Sequence, residues 1–434
     1  MILLVKCVDR VIAALEFEET DRVPVIDNAL QIYPAVKTLI NYHIFPEFIK
    51  KQLDDLYYGL ISSIRQNFGI ERRSTQKHWF LRLLGNNIDE LLDRVITSPV
   101  SEDIDQQIKT LRLYYDSVVR LGVDIISFPI FPSINVKALL KRNHQNFLVT
   151  DDYGLFTIDT SGDLKGIGVV FEEDLEKQIK AYKKALKNID VERLAELYRR
   201  MNKIYKNGKK LCLGIFLGGF FETWYSVFGY INNSMTNFFR QIFKEYKNGL
   251  KGPYIDLLRF KSEIYCEIVD RLAEVGGKVV FLGEDCAVDS GPMISSKIYS
   301  KYFAPLIKKV IGNCHKHNMK VIFHSDGRFD VDNYKLLDSI VSTGIDGLHP
   351  LQSNAVNPSN LRSRYSKLCL CGGIDCTHLL QEGSIREVYF SVAKMIKGVG
   401  KRGLMLGSDN SIHSGVKTEN YLALTRATRY YGEF

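Results

Sequence analysis

The sequence predicts an α/β fold, a (β/α)8 TIM barrel with an N-terminal helical elaboration and a hairpin insertion. Short apolar runs rich in β-branched residues recur along the chain, and amphipathic helical stretches separate most of them. Strands that alternate with helices pair in parallel through right-handed crossovers. There are eight such runs, and eight parallel strands close a barrel of this kind.

The predicted strands, in chain order, cover residues 23–26, 124–128, 211–216, 278–282, 320–323, 345–348, 368–371 and 404–406. Helices are expected over most of residues 1–22, 30–120 and 172–205. The composition changes between residues 129 and 168, where residues 147–160 predict a hairpin that turns near 151–154. We find no linker, so we expect one domain over 1–434, with a helical elaboration at 1–120 that includes the first strand and an insertion at 129–168.

Composition excludes several classes of protein. The chain has 434 residues and a formal net charge of +8, but its basic residues are scattered among acidic ones in helical stretches rather than gathered in a nucleic-acid-binding stripe. No apolar run approaches the roughly 20 residues that span a bilayer. The eight cysteines include no C-x-x-C pair and predict reduced core thiols. We therefore expect a cytoplasmic protein, and an acidic protein partner is compatible with its charge.

Ionisable side chains collect where the later strands end, which is where a barrel of this kind builds its active site. A soluble protein rarely buries so many ionisable groups unless they are paired or bind something. His324 and Asp326 follow the fifth strand two residues apart, so they could both face one site. The full set is Glu222, Asp285, His324, Asp326, His349, Asp375 and Asp409.

Three interpretations of these residues compete. His324, Asp326 and a distant carboxylate such as Asp409 could bind a metal, and zinc accepts such ligands. The His-x-Asp pattern alone slightly favours a core histidine that hydrogen-bonds a backbone carbonyl. Crowded carboxylates could instead act as acid and base, or could cap the next helices. Phosphate binding has little support, because the glycine pairs at 218–219 and 372–373 form no complete phosphate-binding motif.

Aromatic residues follow the third predicted strand closely. Phe221, Trp224 and Tyr225 lie where the loop passes into the next helix. Packing in the core is the default interpretation of such a stripe. A barrel also builds its ligand pocket from these segments, and pockets are mostly apolar, so the three residues could line a small-molecule site.

The chain resembles the uroporphyrinogen decarboxylase superfamily, which also contains corrinoid-dependent methyltransferases. The similarity begins at AALEFEETDRVPV (13–25) and is strongest in GEDCAVDSGPMISSKIYSKYFAPLIKKV (283–310), FHSDG (323–327), GIDGLHPLQ (344–352), CGGIDCTHLL (371–380) and LGSDNSI (406–412). A helix start at Glu419-Asn420 and a final YYG follow. The superfamily fold is a (β/α)8 barrel, in agreement with the strand count.

Several positions depart from the decarboxylase pattern. Uroporphyrinogen decarboxylases carry an arginine-rich motif after the first strand, whereas residues 26–31 here contain no arginine. Their second strand ends in an aspartate and their last in a histidine, and the matching stretches here are 127–129 and 407–409. Only a tyrosine after the third strand is retained, as Tyr225. A substrate with many carboxylates needs cations to bind it. These departures from the family pattern therefore argue against decarboxylation of uroporphyrinogen.

The methyltransferase branch implies a zinc site. Its zinc is held by a His-x-Cys pair and a later cysteine, and His324 matches the histidine, which favours a ligand role for it over a core role. Asp326 stands at the position of the first cysteine, and Asp409 stands approximately at that of the second. Carboxylates would leave zinc more Lewis acidic than thiolates would, which suits an oxygen-bound methyl group. Glu222 or Asp285 would be a further ligand or proton donor.

The resemblance therefore implies a zinc-dependent methyltransferase of the O-demethylase type. It would move a methyl group from a small methylated donor to the cobalt of a corrinoid (methylcobalamin) carried by a partner protein. Glu222, Asp285 and Tyr225 would be catalytic, and Trp224, Phe221, His349 and Asp375 would contact substrate. The alternatives are a decarboxylase that acts on a tetrapyrrole or another acid, and a barrel that binds such a cofactor without catalysis. The identity of the donor and the formation of a homodimer are left open.

Overall fold

Fourteen strands occur in the described part of the chain. The computed structural model describes residues 5–27, 104–129, 136–142, 145–150, 154–158, 164–168, 175–228, 234–412 and 415–434. The strands are β1 Ile26–Asp27, β2 Ile125–Pro129, β3 Val136–Arg142, β4 Gln145–Thr150, β5 Gly154–Ile158, β6 Leu164–Gly168, β7 Cys212–Gly218, β8 Val279–Gly283, β9 Ala287–Val288, β10 Gly291–Pro292, β11 Lys320–His324, β12 Gly347–His349, β13 Cys369–Ile374 and β14 Leu404–Ser408.

Eight of these strands form one parallel sheet in the order β1-β2-β7-β8-β11-β12-β13-β14. A parallel bridge between Val25 and Leu406 joins its first and last strands, so the sheet curls back on itself. The predicted (β/α)8 barrel is therefore confirmed, and each of the eight predicted barrel strands has a counterpart.

Helices separate most of the barrel strands. Their bounds are Cys7–Leu15, Ile104–Leu121, Leu175–Lys187, Val191–Ile204, Thr223–Phe228, Ser234–Lys247, Pro253–Glu274, Ser296–Tyr302, Ala304–Lys316, Lys335–Val341, Pro358–Arg364, Leu379–Glu382, Ile385–Val399 and Thr418–Gly432. The stretch predicted as helical over 172–205 is two helices, because Asp190 accepts a hydrogen bond from the Arg193 N–H at 2.9 Å and begins the second. Helices expected over residues 30–103 lie outside the described residues.

The predicted hairpin insertion is part of a larger sheet. Strands β4 and β5 pair antiparallel from Thr150 opposite Gly154 onward, as predicted, and β3 and β6 extend them to a four-stranded antiparallel sheet. None of these strands pairs with a barrel strand, which agrees with the interpretation of this segment as an insertion.

Side chains fill the inside of the barrel. Inward-facing residues from seven strands form one buried cluster. Position 214 accommodates only glycine, because an ideal Cβ there would lie 2.3 Å from the Phe281 ring. The cluster includes Ile26, Ile125, Cys212, Phe281, Ile322, Cys371 and Met405. A filled barrel has no pore, so ligand chemistry is confined to the loops at the carboxyl ends of the strands.

A paired ion network closes the opposite end of the barrel. The helix Cys7–Leu15 packs across β2, β7 and β14. Its Arg10 reaches Asp124, just before β2, at 2.7 Å, and Arg22 reaches the same carboxylate at 2.8 Å. Asp124 also accepts the Val25 N–H at 2.8 Å, and Arg10 binds Asp21 at 2.5 Å. Among the described residues, no helix is long and apolar enough to cross a membrane.

Candidate metal centre

Three neighbouring strands end level with one another at the barrel mouth. In the parallel register, His324 of β11 pairs with Gly283 of β8 on one side and with His349 of β12 on the other. Paired residues on adjacent strands point to the same side of a sheet. The loops that follow β8 and β11 therefore begin at one height and bring Asp285 and Asp326 beside His324.

Asp285, His324 and Asp326 form a cluster that could hold a metal ion. One donor atom from each lies within 4.8 Å of the other two, and all three residues are partly buried. The Nε2 atom of His324 is 3.8 Å from Asp285 Oδ1, and the Asp326 N–H donates to that same oxygen at 3.1 Å. Partial exposure leaves room for a further ligand from solvent or substrate.

The carboxylate of Asp326 is only half satisfied. Its Oδ2 atom accepts a hydrogen bond from Asn410 at 3.1 Å, whereas its buried Oδ1 atom has no hydrogen-bond partner among the described residues. Burial raises the pKa of Asp326 to about 6, with Asp285 adding to the rise and His324 opposing it. A buried carboxylate oxygen without a partner is costly, and a cation at this point would satisfy it.

The two histidines are in direct contact. Their Nδ1 atoms are 2.7 Å apart, and their rings are nearly parallel with centroids 5.0 Å apart. His349 is buried against the Phe281 ring. Burial, together with the neighbouring His324, holds the pKa of His349 well below its usual value, so this ring is neutral. His349 thus contacts His324 directly, and substrate binding by His349 stays a prediction.

Two more carboxyl groups lie beside the cluster. Glu284 is fully buried and accepts the backbone N–H groups of Phe220 and Phe221 at 2.6 and 2.7 Å, which ties the loop after β7 to the loop after β8. This connection brings Glu222 close enough to Asp285 for the two carboxyl groups to interact electrostatically. Burial raises the pKa of Glu284 to about 7, and burial with Asp285 and Glu284 raises that of Glu222 well above its usual value.

Few cations balance these carboxylates. The buried amine of Lys261 is nearby, but it donates to the Gly219 carbonyl at 2.6 Å and to Thr223 Oγ1 at 2.8 Å. In the described part of the chain, no lysine or arginine forms an ion pair with Glu222, Glu284, Asp285 or Asp326. The mouth therefore has the electrostatic character of a cation site.

Backbone geometry fixes the turn after Asp326. Gly327 has a φ of 99°, and a Cβ there would lie 2.5 Å from the backbone carbon of Ala287. Its N–H donates to Gln352 at 2.7 Å, and Gln352 in turn donates to Asp289 at 2.8 Å. The turn thus packs directly on the β9–β10 hairpin, and only glycine fits there.

Two predicted site residues have other partners. The oxygens of Asp409 accept the Ser353 N–H and hydroxyl at 3.0 and 2.6 Å and the Cys376 N–H at 2.9 Å, so this carboxylate joins three loops and is not in the metal cluster. Asp375 accepts the Thr377 and His378 N–H groups at 2.8 and 2.9 Å, which is the capping role weighed for it. Metal binding by Asp409 and substrate binding by Asp375 stay predictions.

The aromatic residues after β7 are mostly buried. The Phe221 ring lies between Phe238 and Phe303, with centroid distances of 5.4 and 5.6 Å, and Trp224 stacks on Phe238 at 5.8 Å. Both therefore pack in the core. Tyr225 belongs to the helix Thr223–Phe228, but its side chain is outside the described part of the structure.

Sequence reasoning missed Glu284 and Asn410 and did not pair the histidines. Glu284 precedes Asp285 directly, and successive residues after a strand point in opposite directions, which could have indicated its separate role. The two histidines both end predicted neighbouring strands, so a parallel register would have placed them side by side. Asn410 follows Asp409, and no local pattern indicates its contact with Asp326.

The barrel has counterparts among known proteins. A family model described as uroporphyrinogen decarboxylase (URO-D) matches residues 163–431, more than half of the chain. The chain therefore belongs to the uroporphyrinogen decarboxylase family, as its motifs predict. No curated protein sequence matches the chain.

Solved structures share the fold. A methyltransferase from Methanosarcina mazei has a TM-score of 0.60 and 14% identity, covering 98% of this chain and 99% of its own. A B12-independent methionine synthase from a Shewanella species has a TM-score of 0.42 and 12% identity, over 75% of this chain and 87% of its own. A D-psicose 3-epimerase from Clostridium cellulolyticum has a TM-score of 0.37 and 10% identity, over 74% and 92%. The first of these supports the barrel along nearly its whole length.

Proposed function

We propose that this protein is a zinc-dependent methyltransferase that moves a methyl group from a small O-methyl donor to the cobalt of a corrinoid held by a partner protein. The observation that carries the proposal is the cluster of Asp285, His324 and Asp326 at the mouth of a barrel of this family. The likeness in fold to a methyltransferase over 98% of the chain supports it.

The donor set fits zinc. One imidazole nitrogen and two carboxylates are ligand types that zinc accepts, and a catalytic zinc keeps one position open. The unpartnered Oδ1 atom of Asp326 and the scarcity of paired cations at the mouth agree with a bound cation. When bound, zinc would act as a Lewis acid toward the ether oxygen of the donor. His324, Asp326 and Asp285 would hold it, and Asp409 remains an additional predicted ligand.

Residues of the chain would then supply the proton that the leaving oxygen needs. Methyl transfer breaks the carbon–oxygen bond, the cobalt supplies the electron pair for the new carbon–cobalt bond, and the oxygen keeps the pair of the broken bond. That oxygen needs a proton to leave as an alcohol or phenol. Burial, together with the neighbouring Asp285 and Glu284, raises the pKa of Glu222 well above its usual value, so this carboxyl group can keep a proton to donate. Glu222, with Asp285 beside it, is therefore the candidate donor, and Tyr225 stays a further candidate.

The alternative is a decarboxylase that acts on a tetrapyrrole or another acid, and membership of the family keeps it open. The carboxylates of the mouth weigh against it, because a substrate with several carboxylates would face Asp285 and Asp326, and no lysine or arginine in the described part of the chain forms an ion pair with either of them. Decarboxylation would also need no metal, which gives a direct way to separate the two.

The test is methyl transfer to free cob(I)alamin. Zinc-loaded protein is incubated with cob(I)alamin and a panel of aryl and alkyl methyl ethers, and methylcobalamin is followed by its absorbance. We expect transfer from at least one ether, its loss on removal of zinc, and its loss in His324→Ala. Asp270→Asn is the matched control, because Asp270 contacts an exposed histidine, His317, away from the mouth. Conversion of an acid substrate by metal-free protein would instead support the decarboxylase.

A further inference from the structure

We propose that His349 is a positioning residue for the metal site: it accepts a hydrogen bond from the Nδ1–H of His324 and so directs the Nε2 lone pair of His324 to the metal. The inference rests on the proposed function, because it concerns the zinc that His324 would hold. It assigns His349 a role different from the substrate contact that the sequence suggested.

The two nitrogens of His324 face different partners. Its Nδ1 atom is 2.7 Å from Nδ1 of His349, a distance that requires one hydrogen between them. Its Nε2 atom is the nitrogen on the side of Asp285, 3.8 Å from the carboxylate oxygen. The nitrogen available to a metal is therefore Nε2.

The position of the shared hydrogen decides whether His324 can bind a metal. A neutral imidazole carries one N–H, and the other nitrogen has the lone pair. If His349 donated, His324 would carry its own hydrogen on Nε2 and could not ligate. If His324 donates from Nδ1, its Nε2 lone pair is free, and His349 carries its hydrogen on Nε2.

The ring of His349 has one hydrogen-bond contact among the described residues, the one with His324. Only 2% of its surface is exposed, and it lies edge-on to the Phe281 ring at 6.4 Å between centroids. Its Nε2 atom has no hydrogen-bond partner among the described residues, so the contact with His324 is the one that orients it. Register holds the pair together, because His324 and His349 are paired residues of β11 and β12.

Partners that fix the tautomer of a ligating histidine typically contribute 10- to 100-fold to metal affinity. We therefore expect His349→Phe, which keeps a ring but removes the acceptor, to weaken zinc binding by about that factor. His349→Asn places an amide oxygen near the position of Nδ1 and should restore most of the affinity.

The experiment measures zinc affinity by competition with a chromophoric chelator for the wild-type protein and both variants, with metal-free thermal unfolding as the measure of folding. The spectrum of Co²⁺-substituted protein reports the ligand geometry. We expect a weakened, altered site in His349→Phe and a near-normal one in His349→Asn. Equal affinity in all three proteins, or equal loss in both variants, would overturn the inference.

A second measurement needs no variant. In zinc-loaded wild-type protein with ¹⁵N-labelled histidine, His324 should show a protonated Nδ1 and a metal-bound Nε2, and binding through Nδ1 would overturn the inference. Wild-type protein that binds no zinc contradicts the proposed function and the inference together. Zinc binding that does not depend on His349 contradicts the inference alone, and zinc binding without methyl transfer from any ether contradicts the proposed function alone.

Discussion

The two ends of the barrel hold their buried charges in different ways. At the amino-terminal end, Asp124 binds Arg10 and Arg22 at 2.7 and 2.8 Å and also accepts the Val25 N–H. At the carboxyl-terminal end, Asp285 and Asp326 lie together beside the imidazole ring of His324. One end pairs its carboxylate with two cations, and the other gathers like charges.

The comparison distinguishes a carboxylate whose ion pairs stabilise the fold from carboxylates that lack such pairs and could bind a ligand. Loss of the Asp124 charge would be strongly destabilising, because among the described residues it would leave Arg22 without an ion pair and Arg10 with Asp21 alone. Carboxylates that raise one another's pKa cost stability in the free protein and mark functional sites. Substitutions at the amino-terminal end should therefore lower stability most, whereas substitutions at the carboxyl-terminal end should lower metal affinity most.

The largest effect on stability is expected at the amino-terminal end. Asp124→Asn keeps the shape but removes the charge between Arg10 and Arg22, and we expect it to lower the free energy of unfolding by about 3–5 kcal/mol. Urea denaturation measures this. Glu196→Gln, in an exposed pair with Arg199, is the control and should cost less than about 1 kcal/mol. Equal losses in the two variants would refute the special status of Asp124.

The next effect is a pH dependence at the mouth. Burial raises the pKa of Glu284 from 4.5 to about 7, so the folded protein binds more protons than the unfolded chain between these values, and its stability falls as pH rises through them. The contribution is about 3 kcal/mol for this fully buried group. We expect metal-free Glu284→Gln to show a flatter stability profile from pH 5 to pH 7 than wild-type protein. Stability profiles that run parallel in the two proteins would argue against a raised pKa of Glu284.

The next smaller effect on stability is expected from a substitution in the turn after Asp326. Gly327→Ala places a Cβ against the backbone of Ala287 at a φ of 99°, and we expect a loss of about 2 kcal/mol or more together with weaker zinc binding. Gly400→Ala is the control, since Gly400 also has a positive φ, 85°, but no atom within 4 Å of its ideal Cβ. It should lose about 1 kcal/mol and bind zinc normally, and a similar metal defect in both would contradict the role of the turn.

No loss of stability is expected from the metal cluster itself. Asp326→Asn removes one of several like charges from a group whose pKa burial raises, so we expect metal-free protein at neutral pH to become more stable rather than less. Zinc affinity should nevertheless fall at least as far as for loss of an orienting partner, about 100-fold. A loss of stability comparable with that of Asp124→Asn would remove the contrast between the two ends.

The sequence was sufficient for the fold because most barrel strands are short apolar runs that end at glycine or a polar residue. The run at 320–323 and its neighbours have this form, and local patterns of this kind do not depend on distant contacts. Boundaries were less certain. The first strand was expected at 23–26 but is observed at Ile26–Asp27, because Pro24 has no N–H to donate to a neighbouring strand.

The candidate site was only partly predictable. His324 and Asp326 could be identified from their place after a strand, and Asp285 from the same rule. The hydrogen bonds of Asp409 could not be predicted, because they come from Ser353 and Cys376, which lie on two other loops. Buried polar contacts such as that of Lys261 with Gly219 depend on the packing of a helix that carries no local signal of it.

The most direct test of the metal site is an anomalous-scattering map of crystals grown with zinc, recorded above and below the zinc edge. We expect one strong peak at the barrel mouth, from a zinc ion bound by His324 Nε2 and by carboxylate oxygens of Asp285 and Asp326. We expect no such peak in Asp326→Asn under the same conditions. An empty mouth in wild-type crystals, or zinc bound only elsewhere, would contradict it.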